Sequence, residues 1–281
     1  MTYEAIESSI EDGRPVSFYE FTFGSITWRY TSAEEAITAN GHVWQPAAIL
    51  DDGVRQTGEI SSDAMTITAP SWVGPGQLFM SGTPSRGVQV SIYQRQDGDP
   101  DGQIVAIYVG EVSQVNYPLP GSCRITAETL TASLEREGLR LAWQRACPYA
   151  LYDPVTCKLD KTQWGRAFTV LDFDGQTATV EFATVGPSGP LGPPPDNYFN
   201  DGYVEWNHPL RGVELLAIET QTGSRLAFFS FAPELMPGAT GIAYPGCNLT
   251  PAACQSFGNY DNYGGHPDLP GKSPFDGDPV F

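Results

Sequence analysis

The sequence is short of positive charge. Its 281 residues carry 15 Lys and Arg against 33 Asp and Glu, a formal charge of −18 at pH 7. A general nucleic-acid binder needs basic surface to displace counterions from phosphates, so that class is excluded as a main activity, and an acidic surface also repels anionic membranes. Charge of this sign also keeps a particle soluble without any further role. No apolar run is long enough to span a bilayer. The opening stretch MTYEAIESSIEDGR places acids where a secretion signal carries basic residues, and no apolar segment follows, so a soluble protein made in a cytosol is expected. Histidine is scarce: His42, His208 and His266 all stand among Gly, Pro or Asn. There is no His pair spaced for a metal on a helix, no phosphate loop and no serine elbow. Cysteine is limited to five residues, an odd number, and in a reducing compartment a disulfide framework is the less expected use.

What the chain has in quantity is Thr, Val and aromatic residues, broken at short intervals by Gly, Pro and Asp, which reads as many short strands. Pro15 to Ser32 holds two alternating runs meeting at Phe23-Gly24-Ser25, a hairpin with Gly in its turn. Val88 to Tyr117 forms a second hairpin with an acidic tip, and Cys123 to Leu130 continues that sheet. Thr131 to Asp153 is the one good helical candidate, with Leu134, Leu139, Leu141 and Trp143 on its apolar positions and Gly138 splitting it. Ala167 to Phe182 is a further hairpin with Asp174-Gly175 at the turn, followed by a Pro/Gly loop over Gly186 to Gly202 and more strands over Tyr203 to Phe231. The expected fold class is mainly β: two β-rich domains with a short helix, and a coil-like C-terminal segment that must be tied down by something else. The expected division is an N-terminal β domain over 1–138, a helix with the first cysteine pair over 139–160, an inserted β domain over 161–239 and a C-terminal segment over 240–281.

Four of the cysteines fall into two local pairs. Cys147 and Cys157 have nine residues between them, and Cys247 and Cys254 have six. The residues between include Pro, Asn, Asp and Thr, so each pair sits on a looped segment able to curl its sulfurs toward one point. Two such loops make a four-thiolate site, suited to an iron-sulfur cluster or to tetrahedral zinc. Structural zinc favours tighter pairs, whereas clusters tolerate varied spacing; disulfides and unliganded thiols stay open on the spacing alone. A metal bond would also anchor the C-terminal segment, because forming the site supplies folding free energy. Cys123, followed by alternating Ile125 and Ala127, reads as a small buried hydrophobe.

Three rival features are weaker. A thiolate-imidazole pair of Cys147 with His208 or His266 would suit a cell-wall hydrolase, but nothing around Cys147 resembles a nucleophile beside an oxyanion-forming turn. Gln96 to Gln103 opens like a calcium loop with Asp97, Asp99 and Asp101, yet Tyr108 stands where the bidentate Glu belongs, which leaves a solvated hairpin tip. Tyr260 and Tyr263, if exposed, could form a stacking surface for a carbohydrate or receptor.

Taken together, QRACPYALYDPVTC, FNDGYVEW, YPGCNLTPAAC and the closing FGNYDNYGGHPDLPGKSPF resemble a family of tailed-phage tail-tip proteins, and EDGRPVSFYEFTFGSITWRYTSAEE near the start fits the same family. The family is that of the baseplate hub proteins of siphophages and gene transfer agents, relatives of the minor tail protein L of phage lambda, and the likeness runs over nearly the whole chain. The resemblance implies a non-enzymatic structural protein of the virion tail tip, present in the host cytoplasm during assembly, that links the distal tail ring to the central fibre or tail-tip protein. It implies an iron-sulfur cluster, 4Fe-4S in type with zinc as second choice, on Cys147, Cys157, Cys247 and Cys254. It further implies a homo-oligomeric ring, trimer or hexamer, through whose lumen DNA passes without specific binding, and no membrane insertion. One departure stands out: Lys158 occupies the position after the second cysteine where relatives commonly place Gly.

Overall fold

The computed structural model describes residues 14–54, 64–80, 82–97, 99, 101–129, 142–186, 189–190, 192–209, 211–230 and 235–269. The chain divides into two compact units, Met1–Arg136 and Glu137–Phe281.

The first unit is built on one nine-stranded sheet. Its strands are β1 (Pro15–Phe23), β2 (Ile26–Thr31), β3 (Ile37–Ala39), β4 (His42–Pro46), β5 (Leu50–Asp51), β6 (Met65–Pro70), β7 (Val88–Gln96), β8 (Val105–Leu119) and β9 (Ser122–Thr129), in the order β3-β4-β2-β1-β7-β8-β9-β6-β5. The β1–β2 hairpin turns where the sequence indicates, with Phe23 opposite Ile26 and Gly24 at φ 59, a backbone conformation that suits Gly. Alternation buries Phe21, Val90, Ile92, Ile67 and Ile125 on one face. Each such side chain contributes roughly 1.5–3 kcal/mol on leaving water. A one-turn helix, α1 (Gly74–Leu78), packs on that face: a Cβ at Gly74 would lie 2.2 Å from the Trp28 ring, so only Gly allows the approach. Cys123 is fully buried among these residues, as its strand pattern implies. At the acidic tip of the β7–β8 hairpin the Asp99 carboxylate accepts the backbone N–H groups of Asp101 and Gln103, at 3.1 and 2.9 Å, and so closes its own turn.

The second unit centres on a closed six-stranded barrel of β10 (Arg166–Phe173), β11 (Thr177–Phe182), β14 (Tyr203–His208), β15 (Gly212–Thr222), β16 (Arg225–Phe228) and β17 (Thr240–Tyr244), in the order β10-β11-β16-β15-β14-β17. A two-residue pair, β12 (Val185–Gly186) with β13 (Gly189–Pro190), lies in the Pro/Gly loop. The β10–β11 turn follows the sequence reading: Gly175 sits at φ 99, and the Asp174 carboxylate accepts from the backbone of Gln176 and Thr177. Phe168, Val170, Val180, Val204, Ile218 and Leu226 fill the interior.

Two expectations are corrected. The segment from Thr240 onward is not coil throughout. Its first five residues form β17, which pairs with both β10 and β14 and closes the barrel, and Pro251–Ser256 form a short helix, α2. The helix expected over Thr131 to Asp153 is absent from its described part, 142–153, which runs as turns and irregular chain; Leu134, Gly138, Leu139 and Leu141 lie outside the described residues. Pro148 and a left-handed Tyr152 (φ 63) are incompatible with helix there.

Candidate functional site: the four-cysteine cavity

Local chemistry shapes each cysteine loop. In the first, the Asp153 carboxylate accepts from the backbone N–H of Thr156 at 2.8 Å and from the Thr156 hydroxyl, and the N–H of Lys158 donates to the Asp153 carbonyl at 2.7 Å. The chain thus curls back just as it passes Cys157. In the second, Asn248 Oδ1 accepts from the backbone N–H and hydroxyl of Thr250, and Thr250 in turn accepts from the Ala253 N–H as N-cap of α2, with Pro251 in the first turn. This places Cys254, buried, on the inner side of one helical turn.

Among the described residues, six that are not Gly have positive φ: Asn40, Tyr152, Lys158, Asn197, Asp201 and Leu249. Asn and Asp tolerate that region, but the other three do not do so readily. Tyr152, Lys158 and Leu249 all lie in or beside the two cysteine loops. Backbone strain of this kind persists where surrounding contacts over-determine it and gathers at functional sites. Lys158, the residue that departs from the resembled pattern, takes at φ 58 a conformation that Gly would accept without strain.

Cys147, Cys157, Cys247 and Cys254 line one cavity of about 20 Å³, with Leu151, Leu159 and Phe257 among its apolar walls. These are the members of the two local cysteine pairs. Hydrogen bonds tie the loops across it: the Cys147 N–H donates to the Leu249 carbonyl at 2.9 Å, and Asn259 Nδ2 donates to the Cys157 carbonyl at 2.7 Å. None of the cysteines forms a disulfide. Burial pushes the Cys247 and Cys254 thiols above their ordinary range, and the neighbouring cysteines add to the effect, because a second thiolate in a dry site is repelled by the first.

The donor set fits a thiophilic group. Four sulfurs line the space, with no carboxylate or imidazole beside them among the described residues. Among the described residues, no three His, Cys, Asp or Glu side chains are gathered as tightly as a single-ion site requires. The cavity is small for a non-bonded guest. A metal–thiolate bond, about 2.3 Å for zinc, is much shorter than a van der Waals contact, so a group bonded to these sulfurs occupies space that a non-bonded sphere cannot.

The C-terminal segment is clasped to the first loop at several points. Tyr263 donates its hydroxyl to the Arg145 carbonyl at 2.7 Å and to the Leu249 carbonyl at 3.2 Å, the His266 N–H donates to the Gln144 carbonyl at 2.9 Å, and the His266 ring stacks on Trp143 with centroids 4.7 Å apart. A Cβ at Gly264 would lie 2.2 Å from the Tyr149 ring, and one at Gly265 would lie 2.5 Å from the Arg145 carbonyl oxygen, so the Gly-Gly pair is needed for this approach. On the barrel side, Tyr152 donates to the Pro245 carbonyl at 2.9 Å and packs against Tyr203 and Tyr244. A Cβ at Gly246, just before Cys247, would lie 2.2 Å from the Asp201 carbonyl carbon.

The rival sites fare differently. No imidazole lines the cavity. His208 is buried and its Nδ1 accepts from the Arg211 N–H at 3.0 Å, while His266 is stacked on Trp143, so no thiolate-imidazole pair with Cys147 is seen in the cavity. Tyr260 and Tyr263 stack on each other, centroids 5.8 Å apart and rings 9° from parallel, and so use one face of each ring internally. A wider cleft of about 600 Å³ on the barrel is lined by Glu181, Glu205, Asn207 and Trp206, whose Nε1 is buried without a hydrogen-bond partner. Sequence reasoning passed over Asn259, which touches Cys157 and Cys254; an Asn in a Gly-Asn-Tyr turn carries no local sign of such a role.

Three comparisons bear on this architecture. Residues 197–273 match the model of a family described as phage conserved hypothetical protein BR0599, a stretch that includes Cys247 and Cys254. A protein of Xylella fastidiosa (strain 9a5c), described only as an uncharacterized protein, is 30% identical over 97 residues, which are 34% of this chain and 20% of that one. The chain thus spans about a fifth of that relative's length. Among solved structures, a chain of the virion of a native gene transfer agent particle superposes with a TM-score of 0.74 at 17% identity, covering 99% of each chain. At that identity the likeness is one of fold, and it extends over both units.

Proposed function

We propose that the chain is a structural, non-catalytic subunit of a phage or phage-like particle, and specifically a baseplate hub protein of the tail tip that joins the distal tail ring to the central fibre or tail-tip protein. What carries the reading is the end-to-end fold likeness to a chain of a gene transfer agent virion, with 99% of both chains covered. The phage-family match over 197–273 supports the same class. A hub of this kind is a homo-oligomeric ring, trimer or hexamer, assembled in the host cytoplasm. Its acidic surface, if turned to the lumen, lets DNA slide past because phosphate finds few cationic partners there. The barrel of the second unit is closed and offers no strand edge, so the longer open edges for strand addition to neighbours belong to the nine-stranded sheet of the first unit.

In the same reading, Cys147, Cys157, Cys247 and Cys254 hold an iron-sulfur cluster of the 4Fe-4S type, whose service is to staple the C-terminal segment to the first loop by metal–thiolate bonds. The four sulfurs on one cavity support a thiolate-bound group, and the loose spacing of the cysteines in sequence, nine and six residues within the pairs, suits a cluster better than a structural zinc ion. The test is iron, acid-labile sulfide and zinc content of protein purified without oxygen, beside its visible absorption spectrum. Iron and sulfide in matching amounts, lost together in Cys247→Ser, are expected. Zinc alone would change the chemistry of the staple, and a folded, metal-free protein would remove it. Incorporation into tails without host contact is expected of a hub and not of a receptor-binding module.

A further inference from the structure

Asn259 is nine-tenths buried beside the cavity, and it makes contact with two of the four cysteines through different atoms. Its side-chain Nδ2 donates to the Cys157 carbonyl at 2.7 Å and reaches the Cys157 sulfur at 3.6 Å. Its backbone carbonyl accepts from the Cys254 thiol at 3.1 Å, and its backbone N–H donates to the Cys254 carbonyl at 3.0 Å. The orientation of the amide is fixed from behind, because Asn262 Nδ2 donates to Asn259 Oδ1 at 2.7 Å and so turns the NH₂ group toward Cys157. One side chain therefore spans two loops 102 positions apart in sequence.

We infer that Asn259 is the positioning residue of the four-cysteine site, an amide donor that holds the Cys157 sulfur in ligating orientation and lowers its electron donation to a bound cluster. The inference rests on the cluster reading above. An N–H group directed at a thiolate makes a charge-assisted hydrogen bond, stronger than one to a neutral thiol. Such bonds to ligand sulfurs are among the terms that set a cluster's reduction potential, since they stabilise the more negative, reduced form. Outer partners that orient metal ligands cost about 10- to 100-fold in metal affinity when removed. Asn259 is placed to do both, and its own geometry is fixed by a further hydrogen bond.

The test uses the full chain, reconstituted without oxygen with iron(II) and sulfide, as wild type, Asn259→Ala and Asn259→Asp. Both variants are expected to lose iron to a chelator about 10- to 100-fold faster and to show a lower midpoint potential. The Asp variant should be at least as affected as the Ala variant, because it keeps the shape, loses the donor and sets a negative charge beside the sulfur. A residue serving only as a spacer would leave Asn259→Asp close to wild type in potential, and that result would overturn the inference. Should either variant fail to fold by circular dichroism, Asn262→Ala, which only frees the amide to rotate, is expected to shift the potential in the same direction by less; no shift there would count equally against it. A wild type that takes up no iron and sulfide overturns the cluster reading and this inference together. A loaded wild type with unshifted variants overturns this inference alone.

Discussion

The backbone N–H of Cys147 points at the carbonyl of Leu249, 2.9 Å away, and Leu249 presents that carbonyl from a left-handed conformation at φ 61. The bond joins a loop that precedes the barrel to one that follows it. Strained backbone is thus exchanged for a fixed distance between the two loops; Tyr152 likewise reaches the Pro245 carbonyl, whereas Lys158 bonds back to Asp153 within its own loop.

Lys158 offers the simplest test of that strain. It is exposed and sits at φ 58, where an L-residue costs roughly 1–2 kcal/mol and Gly avoids the penalty at an entropic cost of about 0.5–1 kcal/mol. Lys158→Gly is therefore expected to stabilise the second unit by about 0.5–1 kcal/mol in urea unfolding. A destabilisation would mean that the lysine side chain makes a contribution its exposure does not suggest.

Gly246 should tolerate no side chain. An added Cβ would meet the backbone of Asp201 at 2.2 Å, and backbone cannot swing aside as a side-chain tip can. Gly246→Ala is expected to cost at least about 1–3 kcal/mol, the usual penalty of overpacking, and to displace Cys247. Limited proteolysis would show earlier cleavage within 245–269, and unchanged protection would contradict the close approach.

Cys123 stands apart from the four cysteines proposed as ligands. It is fully buried in the first unit, beside Gly76 and the Pro70 carbonyl, and does not line the cavity. Cys123→Ala should lower stability by about 1 kcal/mol, the worth of roughly one buried methylene, and leave metal content untouched. If the proposed site holds a metal, Cys157→Ser should do the reverse in emphasis, with that metal lost first. Loss of metal in Cys123→Ala would refute the proposed set of four ligands.

Alkaline pH should destabilise the first unit in a defined direction. Burial raises the pKa of Tyr19, Tyr30 and Tyr108, with Tyr108 pushed up to about 12 while its hydroxyl donates to the Ala127 carbonyl at 2.9 Å. The folded protein keeps phenol protons that the unfolded chain releases above about pH 10, so the stability they contribute is present below that pH and falls as pH rises through the folded values. Tyrosinate absorbance followed together with circular dichroism should show these residues ionising only as the unit unfolds. A smooth titration of every tyrosine with the fold intact would exclude this linkage.

The sequence was most legible where structure is local. Gly24 and Asp174-Gly175 mark their hairpins because a positive φ and an Asp-capped turn are properties of a few adjacent residues. β17 escaped notice because Thr240–Tyr244 alternates poorly and gains its partners, β10 and β14, only when distant strands meet. The signal for α2 was present in Asn248, Thr250 and Pro251, an N-cap followed by Pro, but it specifies one turn and was lost in a stretch rich in breakers. At 142–153 the apolar spacing suggested a helix, whereas Arg145, Ala146 and Tyr149 are engaged by the C-terminal segment, a pairing that no window of neighbouring residues contains. The two local cysteine pairs are legible in the sequence; the contacts of Asn259 are not, since they lie across the fold.

The position of β17 in chain order also sets a timetable for the second unit. It is the last of the six barrel strands to leave the ribosome, and Cys247 and Cys254 follow directly behind it. Until then β10 and β14 present unpaired edges, and Cys147 and Cys157 wait without their counterparts. Closure of the barrel therefore waits on one short strand near the end of the unit, and unpaired strand edges are what that strand removes from exposure to other chains.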